Sequence, residues 1–343
     1  MSLLSDRALR ALVDEAPVVG SGVGGTSARL EIGDTPVFVK RVPLTDLERR
    51  PEHVMSTANL FGLPTWCQYG VGSPGFTVWR EVAAHTMTTN GVLAGRCEAF
   101  PLLYHWRVLG ERDPVPLDPE WADMDKVVDF WHGSPAMRAR LEAIAESTAD
   151  VVLFLEHVPQ NLYEWLTPRL ADGDDDRLAA ACGMVERDLT AGVSFLASDG
   201  LLHFDAHFRN ILTDGRRLYF SDFGLASSHR FELSDEEQTF ARRNRTHDGC
   251  HAFTGLVNAL VTGLGGVTGP AERNELVRRC AAGDGLDVLP PAAAAVVKRY
   301  APVAVVMNDF YWRLHGESRQ TPYPADEVER ACAVAGLQLG SGR

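Results

Sequence analysis

The residues best suited to chemistry lie in two short runs. HFDAHFRN, residues 203–210, holds His203, Asp205, His207 and Asn210; SDFG, residues 221–224, places Asp222 twelve positions beyond Asn210. A carboxylate and an Asn amide oxygen are hard ligands of the kind Mg²⁺ prefers. A second carboxylate in such a loop can orient a hydroxyl or take its proton. Those are the parts of a phosphoryl-transfer site, which also needs backbone amides or cations to hold phosphates. Each aspartate alone reads more simply as a turn or cap residue. The joint pattern of His-x-Asp-x₄-Asn, a hairpin, then Asp-Phe-Gly is what points to chemistry.

Upstream candidates for the phosphates are weaker one by one. Gly20-Ser21-Gly22-Val23-Gly24-Gly25 is a GxGxxG run between two expected strands, where Gly20, Gly22 and Gly25 let amides approach phosphates closely. A glycine-rich hairpin with no ligand reads it equally well. Dinucleotide binding requires a helix straight after the glycines, and TSARLEI reads as a strand. Lys40, in VFVK, sits on a central-looking strand; an edge-strand lysine is the alternative. Glu81, in WREVAAH, sits on an expected helix and can pair with Lys40, directing the ammonium toward the α- and β-phosphates. A solvated helix carboxylate is the competing reading for Glu81.

These residues need elements to position them. Residues 6–14 read as a short helix, then APVVGSGVGGTSARLEIGDTPVFVKRVPL as three strands joined by glycine turns. Residues 44–60 and 76–90 show helical spacing. PLLYHWRVLG and DVVLFLEHV read as two more strands, and the polar stretch 111–149 between them as a partly helical insertion with Trp121 and Trp131. After about residue 158 the pattern turns helical, broken by the hairpin ILTDGRRLYF with Asp214-Gly215 at its turn. DGDDD, 172–176, and Asp235-Glu236-Glu237 read as solvated acids. The expectation is an α+β chain: a sheet-rich part over 1–157, and a mostly helical part over 158–343, with a hinge near Glu156 to Pro159.

Composition sets limits. The chain has 343 residues, 45% hydrophobic and 23% charged, enough for two parts with real cores. A net charge of -13 argues against non-specific binding to nucleic acid or an anionic membrane and suits a cationic small acceptor. No apolar run reaches the roughly 18 residues of a membrane span. The first residues, MSLLSDRALRALVDEAP, are amphipathic with early acids and do not read as a signal peptide. Six scattered cysteines without a CxxC pair fit reduced thiols in a cytoplasm better than disulfides or a zinc site.

Taken in order, GSGVGG, VFVK, WREVAAH, VVLFLEHV, HFDAHFRN and SDFGLA resemble the protein-kinase-like superfamily over roughly residues 18–265. The last two motifs are the specific ones. The resemblance implies a bilobal protein-kinase-like fold, with a small β-sheet N-lobe bearing helical insertions and a larger, mostly helical C-lobe. It implies ATP in a cleft, its adenine against residues 154–158 with Glu156 and Val158 as contacts. It implies Lys40 on phosphates, Asp205 as catalytic base, Asn210 and Asp222 as Mg²⁺ ligands, and His203 as a structural support of the loop.

Departures from the protein-kinase pattern bear on the acceptor. Phe204 replaces the Arg of His-Arg-Asp, so nothing is there to read a phosphorylated activation loop. His207 stands where Ser/Thr kinases carry Lys, which is similar to aminoglycoside phosphotransferases and related small-molecule kinases. No Ala-Pro-Glu follows, and Asp248 comes only 26 positions after Asp222, too short for a full peptide-docking platform. The expected function is transfer of the γ-phosphoryl of ATP to a hydroxyl of a small molecule, with an aminoglycoside, amino sugar or other antibiotic-like polyol as the leading acceptor class. The alternatives are a Ser/Thr protein kinase, a silent kinase-fold binding module, and a kinase fold that transfers AMP. His207 either braces the loop or touches the acceptor. The segment MNDFYWRLHGESRQTPYP either packs on the helical part or lines the acceptor pocket through Asp309, Arg313 and Arg319.

Overall fold

A computed structural model describes the chain except residues 23–24, 71, 111, 115–120, 122 and 338–343. The chain is α+β and divides into two compact units. Unit 1 comprises Met1–Gly95, Pro101–Val158 and Asp222–Gln238; unit 2 comprises Arg96–Phe100, Pro159–Ser221 and Thr239–Arg343. The boundary expected at 157/158 is therefore one of several crossings. The segment that opens with Asp222 belongs with the sheet.

In unit 1, helix α1 (Asp6–Asp14) precedes strands β1 (Val18–Gly22), β2 (Gly25–Ile32) and β3 (Thr35–Leu44). Helix α2 (Val78–Leu93), strand β4 (Leu103–Leu109), helices α3 (Met124–Phe130) and α4 (Pro135–Ala145), and strand β5 (Ala149–Glu156) follow. The five strands form one antiparallel sheet in the order β1-β2-β3-β5-β4. Strand alternation sorts the core into two faces. Val37, Val39, Val152 and Phe154 pack with Leu9 and Val13 of α1, whereas Val42, Leu44, Val151 and Leu153 pack with Val78, Trp79 and Val82 of α2. Lys40 lies in phase with Val42 and so faces α2.

Residues 44–60 do not form the expected helix. Thr45 and Glu48 bond reciprocally, as in a capping box: the Glu48 amide donates to Thr45 Oγ1 and the Thr45 amide to Glu48 Oε2. The turn ends because Pro51, which has no N–H, starts a separate 3-10 turn over Pro51–His53. Tertiary demand also holds Glu48, which is buried and paired with Arg140 at 2.8 Å. The described part of the 111–149 stretch is less polar than expected. Trp121, Val127, Trp131, Met137 and Leu141 form a core with Leu63, Cys67 and Phe76.

In unit 2, strand β6 (Gln160–Asn161) leads into helices α5 (Leu162–Ala171) and α6 (Asp175–Ser198). The short strand β7 (Leu201–Leu202) and the hairpin β8 (Ile211–Thr213) and β9 (Leu218–Phe220) follow. Helices α8 (His247–Leu264), α9 (Pro270–Ala281), α10 (Pro291–Gly316) and α11 (Ala325–Ala335) complete it; α7 (Asp235–Arg243) runs from one unit into the other. The acidic run 172–176 is not a plain loop. Asp174 caps α6 by accepting from the amides of Asp176 and Arg177, with Asp175 and Asp176 in the first turn, where the helix dipole favours acids. Among the described residues, no helix is long and apolar enough to cross a membrane.

Candidate active site

In unit 1 the chemistry gathers on Lys40. On α2, Val78, Glu81, Val82 and His85 share one helical stripe, which brings Glu81 to the sheet face that carries Lys40. The ammonium donates to Glu81 Oε1 at 2.6 Å and to Asp222 Oδ1 at 2.7 Å. Glu81 is buried, while the Asp222 side chain is 46% exposed. Burial opposes the charge on Lys40, yet the Asp222 and Glu81 carboxylates outweigh it and push its pKa up. Burial pushes the Glu81 carboxyl up, against the pull of Lys40. The Lys40 ammonium is thus held between one buried and one half-exposed carboxylate.

Asp222 takes a left-handed backbone, with φ of 64°. Its neighbour Phe223 is fully buried and meets the edge of the His85 ring at 5.0 Å. The other end of the same segment is fixed to α2 as well. Arg80, next to Glu81, is 1% exposed; it bonds Glu237 at 2.6 Å and the Thr57 carbonyl at 2.7 Å, and lies over the Phe76 ring. Glu237 is therefore a buried ion-pair partner, in contrast to the solvated acid expected from the sequence.

In unit 2, Asp205 and Asn210 meet. Asn210 Nδ2 donates to the backbone oxygen of Asp205 at 3.0 Å and to its Oδ2 at 2.9 Å. The amide group of Asn210 is thereby oriented, and its oxygen accepts no hydrogen bond among the described residues. The Asp205 side chain remains 26% exposed. His203 is buried; its Nδ1 accepts from the Asp205 amide and its Nε2 faces the Ser221 carbonyl at 2.9 Å, so a single proton on Nε2 serves both contacts. His203 braces the loop. His207 Nε2 stands 3.8 Å from Asp205 Oδ1, and its side chain is 44% exposed.

Asp248, at the start of α8, was not singled out from the sequence as a site residue. It is buried, and its two oxygens accept the amides of His203 at 2.6 Å and Phe204 at 2.8 Å. Phe204 is left-handed, with φ of 63°, so the carboxylate fixes a backbone turn that side-chain propensity disfavours. Burial pushes the Asp248 pKa up, but His247 and the loop's hydrogen bonds outweigh it and hold it below the carboxylate range. Its position in HDG looks like any acid in a helix's first turn, so sequence carried no distinguishing signal.

No protein-family model matches the chain, and no curated protein matches it in sequence.

The other expected site residues fall as follows. Gly20 and Gly22 lie on β1, and Gly25 opens β2 opposite Gly22; Val23 and Gly24 lie outside the described residues. Gly25 has φ of 108°, and a Cβ there would meet the Arg41 carbonyl oxygen at 1.8 Å, so strand packing alone demands glycine. The Glu156 carboxylate accepts from the Leu102 amide at 3.1 Å, a structural contact at the end of β5. Val158 follows, and its backbone makes no hydrogen bond among the described residues. Asp309 and Arg313 border a groove of about 550 Å³ with Arg278 and Trp312, where Asp309 pairs with Arg278 at 2.6 Å. Arg319 is buried away from that groove, at 3% exposure beside His315.

Proposed function

We propose that the protein is an ATP- and Mg²⁺-dependent phosphotransferase that moves the γ-phosphoryl of ATP to a hydroxyl of a small molecule, with its two units as the lobes of a protein-kinase-like fold. The observation that carries the reading is Lys40 held between Glu81 and Asp222. A buried lysine fixed by one closed carboxylate is a rigid cation for phosphate oxygens. Each residue has the chemistry Mg²⁺ takes: Asp222, in unit 1, carries a half-exposed carboxylate, and Asn210, in unit 2, an oriented amide oxygen, both hard donors. Bound Mg²⁺ would neutralise charge developing on the phosphates.

Asp205 is the group that orients the acceptor hydroxyl and takes its proton. It is solvent-accessible, and Asn210 holds one oxygen in place, leaving the other toward His207. The backbone of Val158 supplies the donor and acceptor expected to meet adenine. A small acceptor, of the aminoglycoside, amino sugar or polyol kind, is favoured over a protein because the 222–238 segment is short and pinned to α2 through Glu237.

The test is ADP release from Mg·ATP over a panel of aminoglycosides, amino sugars, nucleosides and a generic protein substrate. Release stimulated by one small-molecule class is expected, and Asp205→Asn should lower it by a factor of roughly 10² to 10⁴ with ATP still bound. Release that is unchanged in Asp205→Asn rules out this role for Asp205.

A further inference from the structure

We infer that Cys250 on α8 and Cys332 on α11 form an oxidisable dithiol, at which a hydroperoxide closes a disulfide between the two helices. Their sulfur atoms lie 3.4 Å apart, and both side chains are buried. A disulfide holds its sulfurs at about 2.0 Å, so closure needs an approach of roughly 1.4 Å. All six cysteines are free thiols, so the pair stands ready for oxidation.

The environment assigns the two sulfurs different parts. The hydrogen-bonded contact with the Cys250 sulfur holds the Cys332 thiol below its ordinary range. The same bond, with burial, pushes Cys250 up. Cys332, on the short helix α11 and 5% exposed against 0% for Cys250, is the sulfur that meets the peroxide first, as its thiolate, with Cys250 as the resolving thiol. The Cys332 thiolate attacks one oxygen of hydrogen peroxide; an S–O bond forms, the O–O bond breaks, and the departing hydroxide takes up the proton that Cys332 released on ionising, making the first water. The Cys250 sulfur then attacks Cys332; the S–S bond forms, the S–O bond breaks, and the departing hydroxide takes the Cys250 proton as a second water. Two thiols lose two electrons and one peroxide gains them.

Access comes through α11. It is an 11-residue helix with Val334 75% exposed on its outer face, and a short peripheral helix opens locally more easily than a central one. The bond would matter because Cys250 lies two residues after Asp248, the anchor of the His203 and Phe204 amides. Closing it ties α11 to the turn of α8 that holds the loop. This inference does not depend on the phosphotransferase reading.

The test uses the full chain with Cys97→Ser, which removes the one cysteine that is not buried. Hydrogen peroxide is added, the protein is denatured in iodoacetamide, and masses and peptides are read. Expected are an intact mass lower by about 2 Da before alkylation, one linked peptide pair carrying Cys250 and Cys332, and reversal by dithiothreitol. In Cys250→Ser, the Cys332 sulfenic acid should be trapped by dimedone; Cys332→Ser should give neither adduct nor link. Linkage of any other pair, or no link while methionines oxidise, overturns the inference. If the serine variants fail to fold, the peptide map of the parent chain decides by itself.

Discussion

Two residues with left-handed backbones stand at candidate residues, Phe204 just before Asp205 in unit 2 and Asp222 itself in unit 1. Such conformations cost of order 1–3 kcal/mol for a side-chain-bearing residue, so the surroundings must hold them. For Phe204 the holder is Asp248. Asp248→Ala leaves two buried amides without an acceptor, at about 1–3 kcal/mol each, and urea denaturation should show a loss of that order. An unchanged midpoint would mean that water or another group takes those amides. Asp222 is held by Lys40 on one side and buried Phe223 on the other. Asp222→Ala should therefore weaken ATP binding strongly in the presence of Mg²⁺ and much less in its absence. Equal weakening in both conditions would remove Asp222 from the metal role.

At the scale of elements, helix α2 ties two contacts together. Glu81 meets Lys40, which also bonds Asp222, and the adjacent Arg80 meets Glu237 at the far end of the segment that begins with Asp222. Two buried ion pairs, Lys40–Glu81 and Arg80–Glu237, tie the helix to the sheet and to the end of the segment, while Lys40 also holds the half-exposed Asp222 at its start. Glu237→Ala strands a buried guanidinium and should cost about 3–5 kcal/mol, whereas Arg80→Met with Glu237→Leu should recover much of it. Chemical denaturation of both variants is the check; equal losses in the two would place the stabilisation elsewhere. The strands were legible because V-F-V-K-R-V alternates and each face finds a helix. The Lys40–Glu81 pairing was legible as a possibility of reach. What was not legible depends on distant partners. Glu48 and Glu237 resemble surface acids until Arg140 and Arg80 are brought to them. Thr45-x-x-Glu48 announces a helix in local chemistry, and Pro51 ends it after one turn.

For the molecule as a whole, pH links these sites to stability. Lys40 has its pKa raised by folding, so its contribution is fully present below the unfolded value near 10.5 and is lost as pH climbs through the folded one. Asp248 and Glu48 have theirs lowered, so their contributions hold above the unfolded carboxylate range and fail as pH falls below it. His251 sets the earlier acid limit. Burial and the neighbouring rings of His247, His207 and His203 push it down to about 3, with Asp248 the one opposing charge. It stacks on His247 at 5.6 Å and lies 5.2 Å from Tyr311. A histidine neutral in the fold and free to protonate when unfolded favours unfolding as soon as pH drops below about 6.5. The loss by pH 5 is at most about 2 kcal/mol, and less because the ring is partly exposed and screened. The fold should thus be most stable between about pH 6.5 and 10, with the first decline below that range led by His251 and shared by His105, His157 and His315, whose pKa values burial also lowers. Urea titrations at pH 7, 6 and 5 of the parent chain and of His251→Phe measure it. The parent should lose stability across that range and the variant visibly less, because Phe keeps the stacking on His247 without a titrating nitrogen. Parallel slopes for the two proteins would assign the acid limb to another group, and a flat parent profile would mean that His251 protonates in the folded state.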